Sequence, residues 1–219
     1  MQLSNETTAV LKNFASINPN LLVKPGTSLR TISPTKSVMA RATVEEEFDK
    51  GFAIFDLSQF LGRLSLFDKP ELTINDAFME ISEGEEYSEF AFAAQENIVA
   101  PPEKEITLPK PEIKFELTEK DFSKVMKAMS VSGLPEIAVT GDDGKLSLQA
   151  IDSKGVSKDV FTINIGKTKL KFRMIFRADN LKIIPGDYAV EISSKGLAHF
   201  KAEQVEYWIA VEQNSKFEG

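Results

Sequence analysis

Leu3-Ser4-Asn5-Glu6-Thr7-Thr8-Ala9-Val10-Leu11-Lys12-Asn13-Phe14 and Leu117-Thr118-Glu119-Lys120-Asp121-Phe122-Ser123-Lys124-Val125-Met126-Lys127-Ala128 are written to one plan, 114 positions apart (118 − 4). In each, a hydroxyl residue of the kind that caps helices precedes apolar residues at helical spacing. The stripes are Val10, Leu11, Phe14 and Ile17 in the first copy, and Phe122, Val125, Met126 and Met129 in the second. One face of each helix therefore belongs to a core. The second helix also carries Lys120, Lys124 and Lys127 at i, i+4 and i+7, a cationic stripe on the side that the apolar residues leave free. One fold used twice is the architecture this predicts.

The rest of the chain divides to match. Residues 1–100 form the first domain, 101–112 a connector and 113–219 the second domain. The connector holds Pro101, Pro102, Pro109 and Pro111, which forbid helix and favour an extended strap. In the first domain the pattern gives a helix over 4–17, strands near 21–24, 28–32, 38–44 and 51–55, and a shorter helix over 57–66. In the second it gives a hairpin over 135–151 turning at Gly141-Asp142-Asp143-Gly144. Strands follow over 159–165, 169–176, 187–193, 197–202 and 206–212, with a second short helix over 178–184 answering the one at 57–66. Lys167, Lys169, Lys171 and Arg173 alternate with apolar residues, which reads as one solvated face of a single strand. The fold class is α+β, two similar domains each with two helices on antiparallel sheets.

Composition excludes several function classes. The 219 residues contain no cysteine and one histidine, His199, so disulfides, zinc clusters and thiol chemistry are absent. His199 reads as a strand histidine, and Trp208 as packed on its own sheet. Gly166-Lys167-Thr168 lacks the earlier glycine of a phosphate-binding loop, since Phe161 stands there. The acidic runs Glu45-Glu46-Glu47 and Glu83 to Glu86 read as solvated loops. No apolar run approaches the roughly 18 residues of a membrane span. The formal charge of −7 is uneven: residues 1–100 carry 8 Lys+Arg against 15 Asp+Glu, and residues 113–219 carry 16 against 15. A broad basic surface for nucleic acid is thereby excluded, because each neutralised phosphate wants its own cation. Any DNA contact must be local or topological.

Leu3-Ser4, Thr7-Thr8, Leu11-Lys12-Asn13-Phe14-Ala15 and Ile17-Asn18 resemble the DNA polymerase sliding clamp of T-even-type bacteriophages. Further along, so do Ala53-Ile54-Phe55-Asp56-Leu57, Phe60-Leu61-Gly62, Leu64-Ser65-Leu66, Val99-Ala100-Pro101, Asn180-Leu181-Lys182, Pro185-Gly186 and Tyr188. The resemblance implies a homotrimeric ring enclosing duplex DNA in the cytoplasm of the infected bacterial host. It implies no enzymatic activity, no cofactor and no metal. Its partners are the replicative polymerase, an ATP-driven clamp loader and, in this family, late viral transcription. The DNA-facing candidates are Lys12, Arg63, Lys120, Lys124, Lys127 and Lys182. Helix acids Glu6, Asp56, Glu119, Asp121 and Asp179 offset them, unless they point along their helix axes. Family topology pairs the strand 87–94 of one subunit with 158–165 of the next, giving Tyr87, Glu89, Phe90, Phe92, Lys158, Val160, Phe161 and Ile163 as interface candidates. Val38, Leu108 and Val211 are the candidates for a partner-peptide groove. The alternative from another class is a β-rich viral structural or scaffold protein that self-assembles without touching DNA.

Overall fold

Ser4 caps the first helix as its hydroxyl predicts. In the computed structural model, which describes residues Met1–Gly219, α1 spans Asn5–Ile17 and the Ser4 Oγ accepts from the Thr7 N–H at 3.1 Å. The chain divides into two units, Met1–Glu105 and Ile106–Gly219. No helix in it is long and apolar enough to cross a membrane.

In the first unit α1 buries Thr7, Val10, Leu11 and Phe14 against the hairpin of β2 (Gly26–Ile32) and β3 (Val38–Phe48). β1 (Leu21–Val23) pairs with β4 (Phe52–Ile54). Helix α2 (Leu57–Leu64) follows, capped by Asp56, which accepts from the Gln59 N–H at 2.9 Å. The meander β5 (Glu71–Ile74), β6 (Phe78–Glu83) and β7 (Glu86–Ala91) completes the unit, with β7 at its edge. Two buried asparagines tie the exit of α1 to distant backbone. Asn18 Nδ2 donates to the carbonyls of Ile32 and Val99, both at 2.9 Å, and Asn20 Oδ1 accepts from the Val99 N–H at 2.9 Å. Glu45-Glu46-Glu47 lies in β3 and is not a loop. Glu46 accepts from the Ser4 N–H and the Thr7 hydroxyl, so it anchors the head of α1. Burial alone would raise its carboxyl, but those hydrogen bonds outweigh it and hold the group below its ordinary value of 4.5.

The second unit begins with β8 (Ile113–Leu117) and α3 (Glu119–Ser132). Thr118 Oγ1 accepts from the Asp121 N–H at 3.2 Å, which repeats Ser4 and Thr7 at the same offset. Gly133 ends α3 at φ 62, a left-handed C-cap that suits glycine. The strands β9 (Glu136–Asp142) and β10 (Lys145–Ile151) form the expected hairpin. Its turn is shorter than the four residues expected: only Asp143 and Gly144 lie outside the strands, with φ 48 and 74, the two-residue type I′ geometry. With β11 (Phe161–Lys167), β12 (Phe172–Arg177) and β16 (Lys216–Phe217) they make a sheet ordered β11-β10-β9-β12-β16. α3 lays Phe122, Val125 and Met129 on β9, β10 and β11. The strands β13 (Tyr188–Ser193), β14 (Leu197–Lys201) and β15 (Val205–Ala210) pair in the order β8-β13-β14-β15. On them Trp208 is buried and stacks on His199 at 4.6 Å and 11°.

Two expectations are corrected here. The helix over 178–184 is a single 3-10 turn, Ala178–Asn180. Beyond it the backbone of Ile184 is taken by two buried tyrosines: its N–H donates to Tyr207 Oη at 3.1 Å and its carbonyl accepts from Tyr188 Oη at 2.5 Å. Leu181 and Ile183 are buried while Lys182 between them is exposed, a period of two rather than of a helix. Pro185 then bars continuation. Second, Lys167, Lys169, Lys171 and Arg173 do not share one strand. Lys167 ends β11, Lys169 and Lys171 lie in the connection, and Arg173 belongs to β12.

Candidate nucleic-acid interface

At 3.6 residues per turn, Lys120, Lys124 and Lys127 fall within an arc of about 60° on α3, roughly opposite Phe122, Val125 and Met129. All three lysines are exposed. Seven residue steps separate the first from the last, a rise of about 10.5 Å. Val131, 80% exposed, continues the stripe past them. The acids of this helix sit on its flanks, each about 100° from the stripe. Asp121 accepts from the Thr118 hydroxyl at 2.8 Å, and the Glu119 N–H is satisfied by Asp187 at 2.7 Å.

α1 presents Asn5, Ala9, Lys12 and Ser16 on the side away from its buried residues. That face carries one cation among small or uncharged groups, and Glu6 lies to its side. α2 presents Ser58, Gln59 and Gly62, with no charge at all. Three of the helix acids do local work: Asp121 and Asp56 serve helix caps, and Asp179 sits 3.7 Å from Arg177, while Glu6 and Glu119 are exposed on the flanks of their helices. The outward faces of the three helices hold Lys12, Lys120, Lys124 and Lys127 and no carboxylate.

Arg63 behaves differently. Its guanidinium donates to the Glu89 carbonyl and to Ser88 Oγ and lies 5.4 Å from the centre of the Phe90 ring. It fastens α2 to β7 instead of standing in solvent. Lys182 is exposed on the extended segment after the 3-10 turn.

The strand-edge candidates also separate. β7 pairs only with β6 in its sheet and β11 only with β10, so each leaves one edge of backbone groups open. Tyr87 is 67% exposed and Val160 59%, and Glu89 and Lys158 are exposed beside them. Phe161 and Ile163 are half-buried on the face of β11 that α3 covers. Phe90 is core, packed edge-on to Phe60 at 5.3 Å, and Phe92 stacks on Phe52 at 4.9 Å. Among the groove candidates, Val38 is buried at the start of β3 and Leu108 is half-exposed. Val211 lines a hollow of about 430 Å³ with Met174, Lys195, Gly196 and Phe217.

Sequence reasoning did not find the Glu46 anchor, the tyrosine pair at Ile184 or the Asn18 and Asn20 ties. Each depends on partners far away in sequence, and no local spacing signals them. No group of three or more His, Cys, Asp or Glu gathers as a metal site would.

Residues 4–99 match the family described as DNA polymerase processivity factor, and residues 114–213 the family described as gp45 sliding clamp, C terminal. The sliding clamp of Vibrio phage KVP40 is 34% identical over 220 residues, covering 97% of this chain and 99% of that protein. The sliding clamp of Escherichia phage RB69 is 29% identical over 225 residues, covering 98% of each. Among solved structures, A. fulgidus PCNA with the C-terminal region of FEN-1 bound superposes at a TM-score of 0.73 and 15% identity, over 98% of both chains. The Helicobacter pylori beta clamp bound to a DNA ligase peptide gives 0.72 and 12%, over 97% of this chain and 65% of that one. At these identities the structures testify to the fold. The sequence relatives go further: this chain belongs to the sliding clamp family of DNA polymerase processivity factors.

Proposed function

We propose that the chain acts as a homotrimeric ring that encloses duplex DNA and tethers a replicative polymerase without catalysing any reaction itself. The observation that carries this reading is the α3 stripe, where three exposed lysines stand opposite the buried face with both helix acids turned aside. A sliding contact needs phosphate attraction without base reading, which lysines on a helix face supply. Lys120, Lys124, Lys127 and Lys12 are its first contacts, with Lys182 as a further candidate. Arg63 supports β7 and serves the ring indirectly.

The open edges of β7 and β11 support the subunit contact. Pairing β7 of one subunit with β11 of the next removes both edges, as closed sheets do. It brings Tyr87, Glu89 and Phe92 toward Lys158, Val160, Phe161 and Ile163, with Glu89 opposite in charge to Lys158. Partner peptides take the hollow beside Val211, which Met174 and Phe217 also line, and Leu108 of the connector is a further candidate contact. An ATP-driven clamp loader opens the ring, and late viral transcription uses it as a coactivator, by the resemblance to T-even-type clamps.

Light scattering across a dilution series tests the assembly. A particle near 73 kDa (3 × 24.3 kDa) is expected, and a persistent 24.3 kDa monomer at high concentration overturns the ring. Stimulation of a cognate polymerase on long primed templates tests the tether, and its absence with an intact trimer overturns the function.

A further inference from the structure

β12 and β16 set two cations directly opposite each other. Arg173 pairs in register with Lys216. Directly opposed residues on antiparallel strands lean to the same face, where like charges repel. Both side chains are exposed. They line a hollow of about 300 Å³ together with Thr140, Gln149, Lys171 and Phe172.

The two acids on its rim neutralise this pair only in part: the Lys171 bond and charge chiefly hold the Glu218 carboxyl below its ordinary value, and the Lys216 charge adds a smaller effect. Glu218 is engaged by Lys171 at 2.8 Å. The Glu218 bond and charge raise the Lys171 ammonium above its ordinary value, and Asp142 adds to the same effect. Arg173 and Lys216 are left facing each other across the strands with no ion pair of their own.

The chain's own tail shows what such a surface accepts. The Glu218 N–H donates to the Lys171 carbonyl at 2.9 Å, and the Lys171 N–H to the Gly219 carbonyl at 3.0 Å. The tail is therefore an extended segment lying along the strand, and it delivers a glutamate carboxylate to a lysine. β16 is also the last strand of its sheet, so its far edge is open to a further extended segment.

We propose that the hollow between β12 and β16 is a receptor for an extended acidic segment of a partner protein, whose carboxylate takes the Arg173–Lys216 pair as Glu218 takes Lys171. A nucleic-acid strand fits less well. It has no peptide N–H and C=O groups to pair with the open edge of β16, which an extended protein segment supplies.

The test uses the full chain and a fluorescein-labelled Gly-Glu-Glu-Glu-Glu-Gly peptide, followed by anisotropy, with an oligothymidylate of equal charge in parallel. The Arg173→Gln/Lys216→Gln double variant is expected to bind the peptide about tenfold more weakly, because two exposed cations no longer attract its carboxylates. The Lys167→Gln control, another exposed cation of the same unit, is expected to bind like the wild type. The melting temperature of the double variant should hold or rise, because a repulsion is removed. If it falls instead, Lys216→Gln alone carries the same binding test, its change being confined to a two-residue edge strand. Undiminished binding by the variant overturns the proposal. An equal loss in Lys167→Gln overturns it in favour of diffuse attraction, and tighter Arg173-dependent binding of the oligothymidylate overturns it in favour of a phosphate ligand. Neither DNA synthesis nor ring assembly enters this test, so its failure leaves the clamp function standing.

Discussion

Replacing Lys120, Lys124 and Lys127 together by alanine separates electrostatic contact from fold. The three span about 10.5 Å of helix, and a DNA strand offers one phosphate about every 3.4 Å of axis, so α3 can neutralise roughly three phosphates. The slope of log binding constant against log salt is about −0.9 per phosphate, so each α3 in contact contributes about −2.7. Between 50 and 200 mM salt that slope corresponds to about a 40-fold loss of affinity that the variant no longer shows. Folding should barely change, because all three side chains are exposed and such surface substitutions stay within about 0.5 kcal/mol. Anisotropy of a labelled linear duplex, titrated over that salt range, reads the slope, with light scattering and melting as controls. A variant whose slope equals the wild type's, at unchanged mass and melting temperature, refutes the stripe as the contact.

Glu46→Gln weakens the anchor of α1 and costs about 1 kcal/mol by chemical denaturation, since a charged acceptor of two donors becomes neutral. Glu46 is held below 4.5 in the folded chain. Its contribution is therefore complete above pH 4.5 and disappears as pH falls through the lowered value, so acid unfolding of Glu46→Gln should depend less on pH in that window. Gly141→Ala places a methyl carbon 2.5 Å from the Leu170 carbonyl oxygen and from the Phe172 ring. It should lose about 1–3 kcal/mol in denaturant melts, and full retention of stability would show that the β9–β12 contact can open freely. Tyr207→Phe leaves the Ile184 N–H without its acceptor and should cost about 1–3 kcal/mol. The same change removes a phenol that burial pushes up to about 12, so absorbance titration at high pH loses one late-ionising tyrosine.

Legibility followed the range of the forces involved. Ser4 and Thr118 could be read because a cap is a contact over three residues, and the apolar stripe behind each is a property of one helix. The 178–184 segment misleads for the opposite reason. Its local pattern allows a helix, but Tyr207, 23 residues away, and Tyr188 claim the backbone groups that a helix would have used. Arg63 looks like any helix cation until β7 arrives to receive it. The Arg173–Lys216 opposition has no sequence signature at all, because it exists only in the register of two strands 43 positions apart (216 − 173).

An acidic chain that touches DNA is a paradox only if charge is counted globally. At physiological ionic strength a charge is screened beyond about 8 Å. The exposed carboxylates of Glu45, Glu47, Glu85 and Glu86 lie in β3 and at the β6–β7 turn. They belong to the first unit, and none is on the α3 helix that carries the stripe. If α3 is the contact, a phosphate within that distance of Lys120, Lys124 and Lys127 meets those three charges first, with Glu119 and Asp121 each about 100° round the helix from them. The acidic remainder has a separate consequence. It withholds the many further phosphate contacts that a basic protein of this size would make, each of which adds to the salt slope and to residence at one place. Few contacts per subunit, all to the backbone and none to base edges, are what movement along a duplex requires. Adding lysines to the outward faces of α1 and α2, at Gln59 or Ser16, should then raise affinity for linear duplex while slowing the clamp along it. An increase in both affinity and mobility would show that something other than phosphate contact limits sliding.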